Sequence, residues 1–235
     1  MNNDTLKLTN VLADPTRFAI YQYILSLHRP VNVLEIAEKF NIHPNVARLH
    51  LTKLEDVQLL ISEAEKSGKG GRPSRVYSLS KQVVNLQFPP RDYQLLADLA
   101  IKSILSLGEI GKNALIAMGR NFGINTAKTT MKKDEININS SIEDKINSAQ
   151  NLLLQQGLQP QIEKTKEGYF RFSVHNCIFS HIAQTNPSIV CIMHHAMLQG
   201  ILETYFGEID LIQNKHMLEE NHESCLYTVV KLPIE

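Results

Sequence analysis

Residues 33–60 read VLEIAEKFNIHPNVARLHLTKLEDVQLL, a pattern of two short helices joined by a tight turn. Asn32 stands where an N-cap belongs, and Glu35, at the third helical position, completes a capping box. Val33, Ile36, Ala37 and Phe40 recur at helical spacing and share one face. Phe40-Asn41-Ile42 interrupts the pattern: Asn41 tolerates turn geometry and Ile42 returns to the core. Pro44 suits the first position of the second helix, because the N–H it lacks would find no partner there. Along that helix the spacing turns Val46, Leu49, Leu54 and the stem of Lys53 inward and leaves Asn45, Arg48 and Thr52 as the opposite stripe. A helix face shaped only for solubility is rich in Glu and Lys. This one offers Asn, Arg, His and Thr, side chains that can meet base edges and phosphates in a major groove. The candidates for such contact are Pro44, Asn45, Ala47, Arg48, His50, Thr52 and Lys53. The competing reading is the polar surface of a small helical bundle.

The next residues separate the two readings. Ile61 to Glu65 can extend as a strand, and Arg75 to Leu79 can return as a second one. Between them, Ser67-Gly68-Lys69-Gly70-Gly71-Arg72-Pro73 cannot hold regular structure. Lys66, Lys69, Arg72, Arg75 and Lys81 are basic, with no acid between Lys66 and Lys81. A hairpin with a basic, glycine-rich tip directly after a recognition-type helix is the pattern of a winged helix. Lys69, Arg72 and Arg75 are its candidates for phosphate contact.

LADPTRFAIYQYIL, VLEIAEKFNIHPNVARLHLTKLED and GRPSRVYSLS, in that order, resemble the winged helix-turn-helix of the ArsR-like and DeoR-like bacterial repressors. The resemblance covers about the first third of the chain. It implies a sequence-specific regulator, a homodimer on a palindromic double-stranded operator, and is silent on the signal sensed.

The rest of the chain fills in around this segment. Its 235 residues suit one large or two ordinary domains, and 43% hydrophobic content is ample for packed cores. The formal net charge is zero, so basic character is local. The opening MNNDTLKLTN has no apolar signal-peptide core. No uncharged apolar run reaches the roughly 18 residues of a membrane span, so a cytoplasmic protein is expected. Three cysteines in that compartment argue against a disulfide framework. Asp4 to Leu12 suggests a short opening helix. A second follows from Pro15, with Asp14 as its cap and His28-Arg29-Pro30 at its end.

Phe88-Pro89-Pro90-Arg91 marks a boundary. Beyond it, two apolar helical segments broken near Gly108 and Gly111 reach about Phe122, with surface to spare for a twin subunit or for packing within the chain. Lys128 to Ser141 reads as a mobile connection. Ile142 to Gln156 is an amphipathic helix stopped by Gly157. Leu158 to Lys164, Tyr169 to Val174 and the stretch from Cys225 to Leu232 are strand-like, and Pro187 to Phe206 is a long helix. The expected fold class is α+β. A winged helix-turn-helix domain (1–82) is followed by a helical connector and dimerisation segment (83–127) and an α+β sensor domain (128–235).

Cys177, Cys191 and Cys225 all fall in the last segment, as do His175, His181, His194, His195, His216 and His222. His194 and His195 follow Cys191 at three and four residues, on its face of the helix. Thiolates with imidazole suit zinc or iron–sulfur clusters. Lone cysteines are also commonly small buried hydrophobes, and there is no C-x-x-C. HNCIFSHIAQTNPSIVCIMHHAML followed by ESCLYTV is similar to the sensor domain of the Suf-type repressors of iron–sulfur assembly genes. That resemblance implies an iron–sulfur cluster on Cys177, Cys191 and Cys225, governing operator binding. The sequence departs from it in having Ile178 where a proline is expected, and no fourth cysteine. His194, then His195, are the candidates to complete the site. Zinc and a plain thiol redox sensor stay open, as do a regulator sensing an organic ligand and a protein-interaction module. No phosphate-binding glycine loop, G-x-S-x-G elbow or H-E-x-x-H motif is present, so an enzyme is not expected.

Overall fold

Local capping starts the first unit. In the computed structural model, which describes residues 3–65, 74–80, 82–84, 86, 89, 91–164, 170–219 and 224–231, α1 (Asn3–Leu12) leads into α2 (Pro15–Leu27). The Asp14 carboxylate accepts the Arg17 N–H at 2.9 Å, and Pro15 sits where no donor is needed. His28, in the left-handed region at φ 53°, ends α2. A short β1 (Val31–Asn32) then turns into α3 (Val33–Phe40). Asn32 caps α3, its side chain accepting the Glu35 N–H at 3.0 Å. The Glu35 carboxylate does not complete the expected box. It forms a two-pronged ion pair with Arg29, at 2.5 and 3.1 Å, because a guanidinium fork matches both of its oxygens.

Asn41, at φ 50°, closes α3, and the Ile42 N–H reaches back to the Ala37 carbonyl at 3.0 Å. The chain then enters α4 (Pro44–Asp56), followed by β2 (Leu60–Glu65) and β3 (Ser74–Leu79). β2 and β3 pair antiparallel from Leu60↔Leu79 to Glu65↔Ser74, and β1 adds to the other edge of β3. Ile20, Ile24, Ile36, Leu51, Leu54, Leu60 and Tyr77 form the buried centre beneath helices and hairpin. A winged helix-turn-helix is therefore present, with the elements in the expected order.

The chain divides once, into Met1–Arg91 and Asp92–Glu235. The helices of the expected connector at 83–127, α5 (Tyr93–Leu105) and α6 (Glu109–Lys133), belong to the second unit. Gly108, at φ 65°, makes the break between them, whereas Gly111 lies inside α6. The second unit continues with α7 (Ile142–Gln155), β4 (Pro160–Lys164), β5 (Phe170–Val174), α8 (Ser180–Thr185), α9 (Pro187–Phe206), β6 (Ile209–Lys215) and β7 (Cys225–Lys231). Its strands form an antiparallel sheet in the order β4-β5-β7-β6. The class is α+β.

What anchors α6 is backbone contact with α9. A Cβ on Gly123 would stand 2.1 Å from the Met197 carbonyl oxygen, and one on Gly200 would stand 2.5 Å from that of Arg120. Only glycine permits that approach. Arg120 and Glu203 pair across the same two helices. The mobile connection expected from Lys128 is also corrected. Ala127 is fully buried and Met131 packs on the same core, so α6 continues to Lys133. The following turn is pinned by Asp134 N–H to Thr130 O and Ile136 N–H to Met131 O, both at 2.8 Å. The Ser148 hydroxyl, from α7, bonds both the Asp134 carboxylate at 2.6 Å and the Tyr205 hydroxyl of α9 at 2.9 Å. Strand β6 was not anticipated, although Ile209 and Leu211 alternate inward. No helix among the described residues is long and apolar enough to cross a membrane.

Replacing Gly123 by alanine is expected to push α6 off α9 and lower the stability of the second unit by about 3 kcal/mol. Denaturant unfolding monitored by circular dichroism tests this, and an unchanged midpoint contradicts the close contact.

Candidate functional site

α4 is capped by the chain just before it. The His43 imidazole accepts the Asn45 N–H through Nδ1 at 3.2 Å, and Pro44 fills the first helical position. Ala47, His50, Leu51 and Leu54 are buried and point into the first unit. This corrects the sequence reading in two ways. Ala47 (0% exposed) and His50 (8%) cannot reach DNA from inside the core, and Val46 and Leu49, expected inside, are exposed. The inward set has perfect helical spacing, but His50 reads as polar and Ala47 as small, so the bulkier Val46 and Leu49 mislead. Burial holds the His50 imidazole below its ordinary pKa, with Asp14 opposing and Arg17 adding to the shift. Its Nδ1 has no hydrogen-bond partner among the described residues.

The outward face keeps Asn45, Arg48 and Lys53 exposed, with Pro44 and Thr52 half-buried beside them. Beside α4 stands the β2–β3 hairpin. Arg75, expected to meet phosphate, is engaged otherwise. Its Nε donates to Ser62 Oγ at 2.6 Å and its Nη2 to Glu55 Oε1 at 3.0 Å, while Ser62 donates to the same carboxylate at 2.7 Å. Arg75 therefore ties the hairpin to the last turn of α4, and its role is to position. Lys69 and Arg72, the expected contacts of the hairpin tip, lie outside the described residues.

In the second unit, three segments far apart in sequence meet at one cavity. Cys177 follows β5, Cys191 lies on α9 and Cys225 opens β7, and all three line it together with His194, His216 and Tyr227. The cavity is narrow: its enclosed room is about 10 Å³, on the scale of a single water. Cys177 Sγ lies 3.7 Å from His194 Nδ1, and Cys225 Sγ accepts the Met217 N–H at 3.4 Å. His194 is inside the cavity as expected. His195 is not: its Nε2 lies 2.8 Å from the Leu211 carbonyl, on another side of α9. Residues three and four apart share a helix face but diverge by about 100° around it. His216, between β6 and β7, is the imidazole that the sequence reading did not place here. Its neighbourhood depends on strand β6, which was not anticipated.

The electrostatics are those of a neutral site. Burial raises the pKa of Cys177 to about 11, and Cys191 and Cys225 rise for the same first reason; neighbouring thiols add to the shift of Cys177 and Cys191, and Glu219 to that of Cys225. Burial lowers His194 to about 4, with His195 contributing. His194 Nε2 is buried and has no hydrogen-bond partner among the described residues. Among those residues no group of three or more His, Cys, Asp or Glu side chains is placed to hold a metal ion.

Comparison with known proteins bears on the first unit. A family model described as a helix-turn-helix domain matches residues 12–63. An uncharacterized HTH-type transcriptional regulator of Methanocaldococcus jannaschii is 35% identical over 74 residues, which are 32% of this chain and 74% of that protein.

His194 stays neutral when folded and would charge freely when unfolded. Stability is thus expected to fall as pH drops from about 6.5 to about 4, by an amount on the order of 3 kcal/mol from this group. Unfolding curves at intervals across that window should show a steeper decline for the natural chain than for His194→Gln. Parallel curves would contradict the buried, neutral imidazole.

Proposed function

We propose that this chain, which belongs to the helix-turn-helix transcriptional regulators, is a homodimeric repressor. On this reading α4 enters the major groove of a palindromic operator, and the thiol cavity of the second unit sets the strength of that binding. The observation that carries the DNA reading is the outward face of α4: Asn45, Arg48 and Lys53 are free of the core and lie beside a hairpin braced by Arg75. Asn and Arg are the side chains suited to adenine and guanine edges, and Lys53 suits phosphate.

A second copy of the chain is the partner favoured by the second unit. α5 buries none of its residues, and Leu95, Leu96 and Leu99 stand at least half exposed on it. α6 continues the apolar surface with Ile110, Met118 and Phe122 at multiples of four residues, exposed by 79%, 65% and 56%. An apolar surface of this extent suits a two-fold contact, in which each copy covers the other's stripe.

The cavity fits a thiophilic group. A buried imidazole nitrogen with no partner among the described residues is costly as it stands, and a bound cation would engage it and favour thiolates beside it. Three thiols that line one cavity without meeting at one point suit an iron–sulfur cluster better than a single zinc ion, which remains the second reading. Such a group, when bound, supplies a link between the segments bearing Cys177, Cys191 and Cys225. His194 is the first residue to complete that link, and His216 takes the second place from His195. Release of the three thiols would loosen α9 and the start of β7, and so alter the dimer that spaces the two α4 helices. Half-sites lie about 34 Å apart, so a small change in spacing weakens binding. A coupling of about 1–3 kcal/mol is enough for a switch.

Purification without oxygen, followed by absorption spectroscopy and iron, sulfide and zinc analysis, tests the cavity. Iron with sulfide supports the cluster, and zinc alone the second reading. Neither metal, together with unchanged operator affinity after Cys177, Cys191 and Cys225 are all changed to serine, overturns both. Operator affinity is expected to fall steeply with salt, and Arg48→Ala should weaken it at least tenfold without shifting the unfolding midpoint. Affinity indifferent to salt and to Arg48 would remove the DNA reading.

A further inference from the structure

We propose that Leu49, with Val46 beside it, reads thymine methyl groups in the operator's major groove. The inference rests on the DNA-binding reading and goes further, naming the bases that the site prefers.

The argument starts from the rotation of α4. With Ala47, His50, Leu51 and Leu54 buried, the centre of the opposite face falls on the line Asn45, Leu49 and Thr52. Arg48 flanks that line on one side, and Val46 and Lys53 on the other. Leu49 is 54% exposed and Val46 is 41% exposed, so each holds much of its apolar surface out of the core. Leu49 sits in the middle of the polar side chains, not at their rim. A face meant only for water gains nothing from a leucine there, and a wholly polar contact would leave it desolvated against polar edges. In a major groove one apolar group is on offer, the 5-methyl of thymine.

The neighbours agree in chemistry. Asn45 lies one turn before Leu49, and its amide is the side chain suited to the N6 and N7 edge of adenine. Thr52, three residues after Leu49, carries a methyl and a hydroxyl and can meet either kind of group. Adenine and thymine are paired, so an asparagine and a leucine one turn apart, about 6 Å along the axis, suit neighbouring A·T pairs. The half-site is therefore expected to be rich in A·T pairs under the first two turns of α4.

The test uses the full chain with whatever metal it carries. Binding sites are selected from random duplexes, and the best is remade with deoxyuridine in place of each thymidine in turn. This removes one methyl and leaves every hydrogen-bonding group. At one or two positions per half-site the natural chain should bind the deoxyuridine duplex about three- to tenfold more weakly, the scale of one buried methyl or somewhat more. For Leu49→Ala that difference should shrink to less than twofold at the same positions. Equal binding of the two duplexes by the natural chain overturns the inference and leaves the DNA reading standing. So does a Leu49→Ala chain that changes oligomeric state while keeping its sensitivity to deoxyuridine, since Leu49 would then face another copy. If no duplex is enriched, the DNA reading itself fails.

Discussion

Four side chains, Ala47, His50, Leu51 and Leu54, fix the rotation of α4 about its own axis. A helix of 13 residues has room for one buried face, and whichever residues fill it decide what the other face presents. Burying these four sends Asn45, Leu49 and Thr52 outward together and sets Arg48 and Lys53 on their flanks. The hairpin then needs a fixed place beside that face. The Glu55–Ser62–Arg75 network provides it by joining the end of α4 to both strands. These are partly exposed charges, so their contribution to stability is small. Their value lies in geometry, since a recognition helix and a hairpin that moved independently could not meet one duplex together.

The second unit depends on a different constraint, the backbone contact of α6 with α9. Glycine at 123 and at 200 lets the two helices approach until carbonyl oxygens nearly touch the opposite Cα positions. That contact uses one side of α6 and leaves Ile110, Met118 and Phe122 exposed on another. It also sets α9, the helix that carries both Cys191 and His194. The thiol cavity and the apolar stripe thus share one structural support. A change at the cavity has a physical route to that apolar surface.

His194 shows how burial prepares chemistry. It is neutral over the ordinary pH range because burial disfavours its charged form. The three thiols beside it are protonated for the same reason. Burial thus keeps all four of these groups uncharged near neutral pH. Phe179 packs edge-on against the imidazole, at 5.2 Å between ring centres.

By itself, the sequence determined the features that depend on near neighbours in the chain. The caps at Asp14 and Asn32, the turn at Asn41, Pro44 at the head of α4, and the span of α9 from Pro187 to Phe206 were all legible, because each follows from a few adjacent residues. So was the order of helix, turn, helix and hairpin. Tertiary structure alone decided the rest. The phase of α4 depends on which of two sets of side chains the core of the first unit accepts, and Val46 and Leu49 lost to Ala47, His50 and Leu51. The side of α9 that faces the thiols depends on β6 and β7, so His194 entered the cavity and His195 bonded Leu211. The continuation of α6 past Ala127 depends on a core built from residues up to a hundred positions later. Such outcomes rest on contacts between distant parts of the chain, and spacing along one segment carries no record of them.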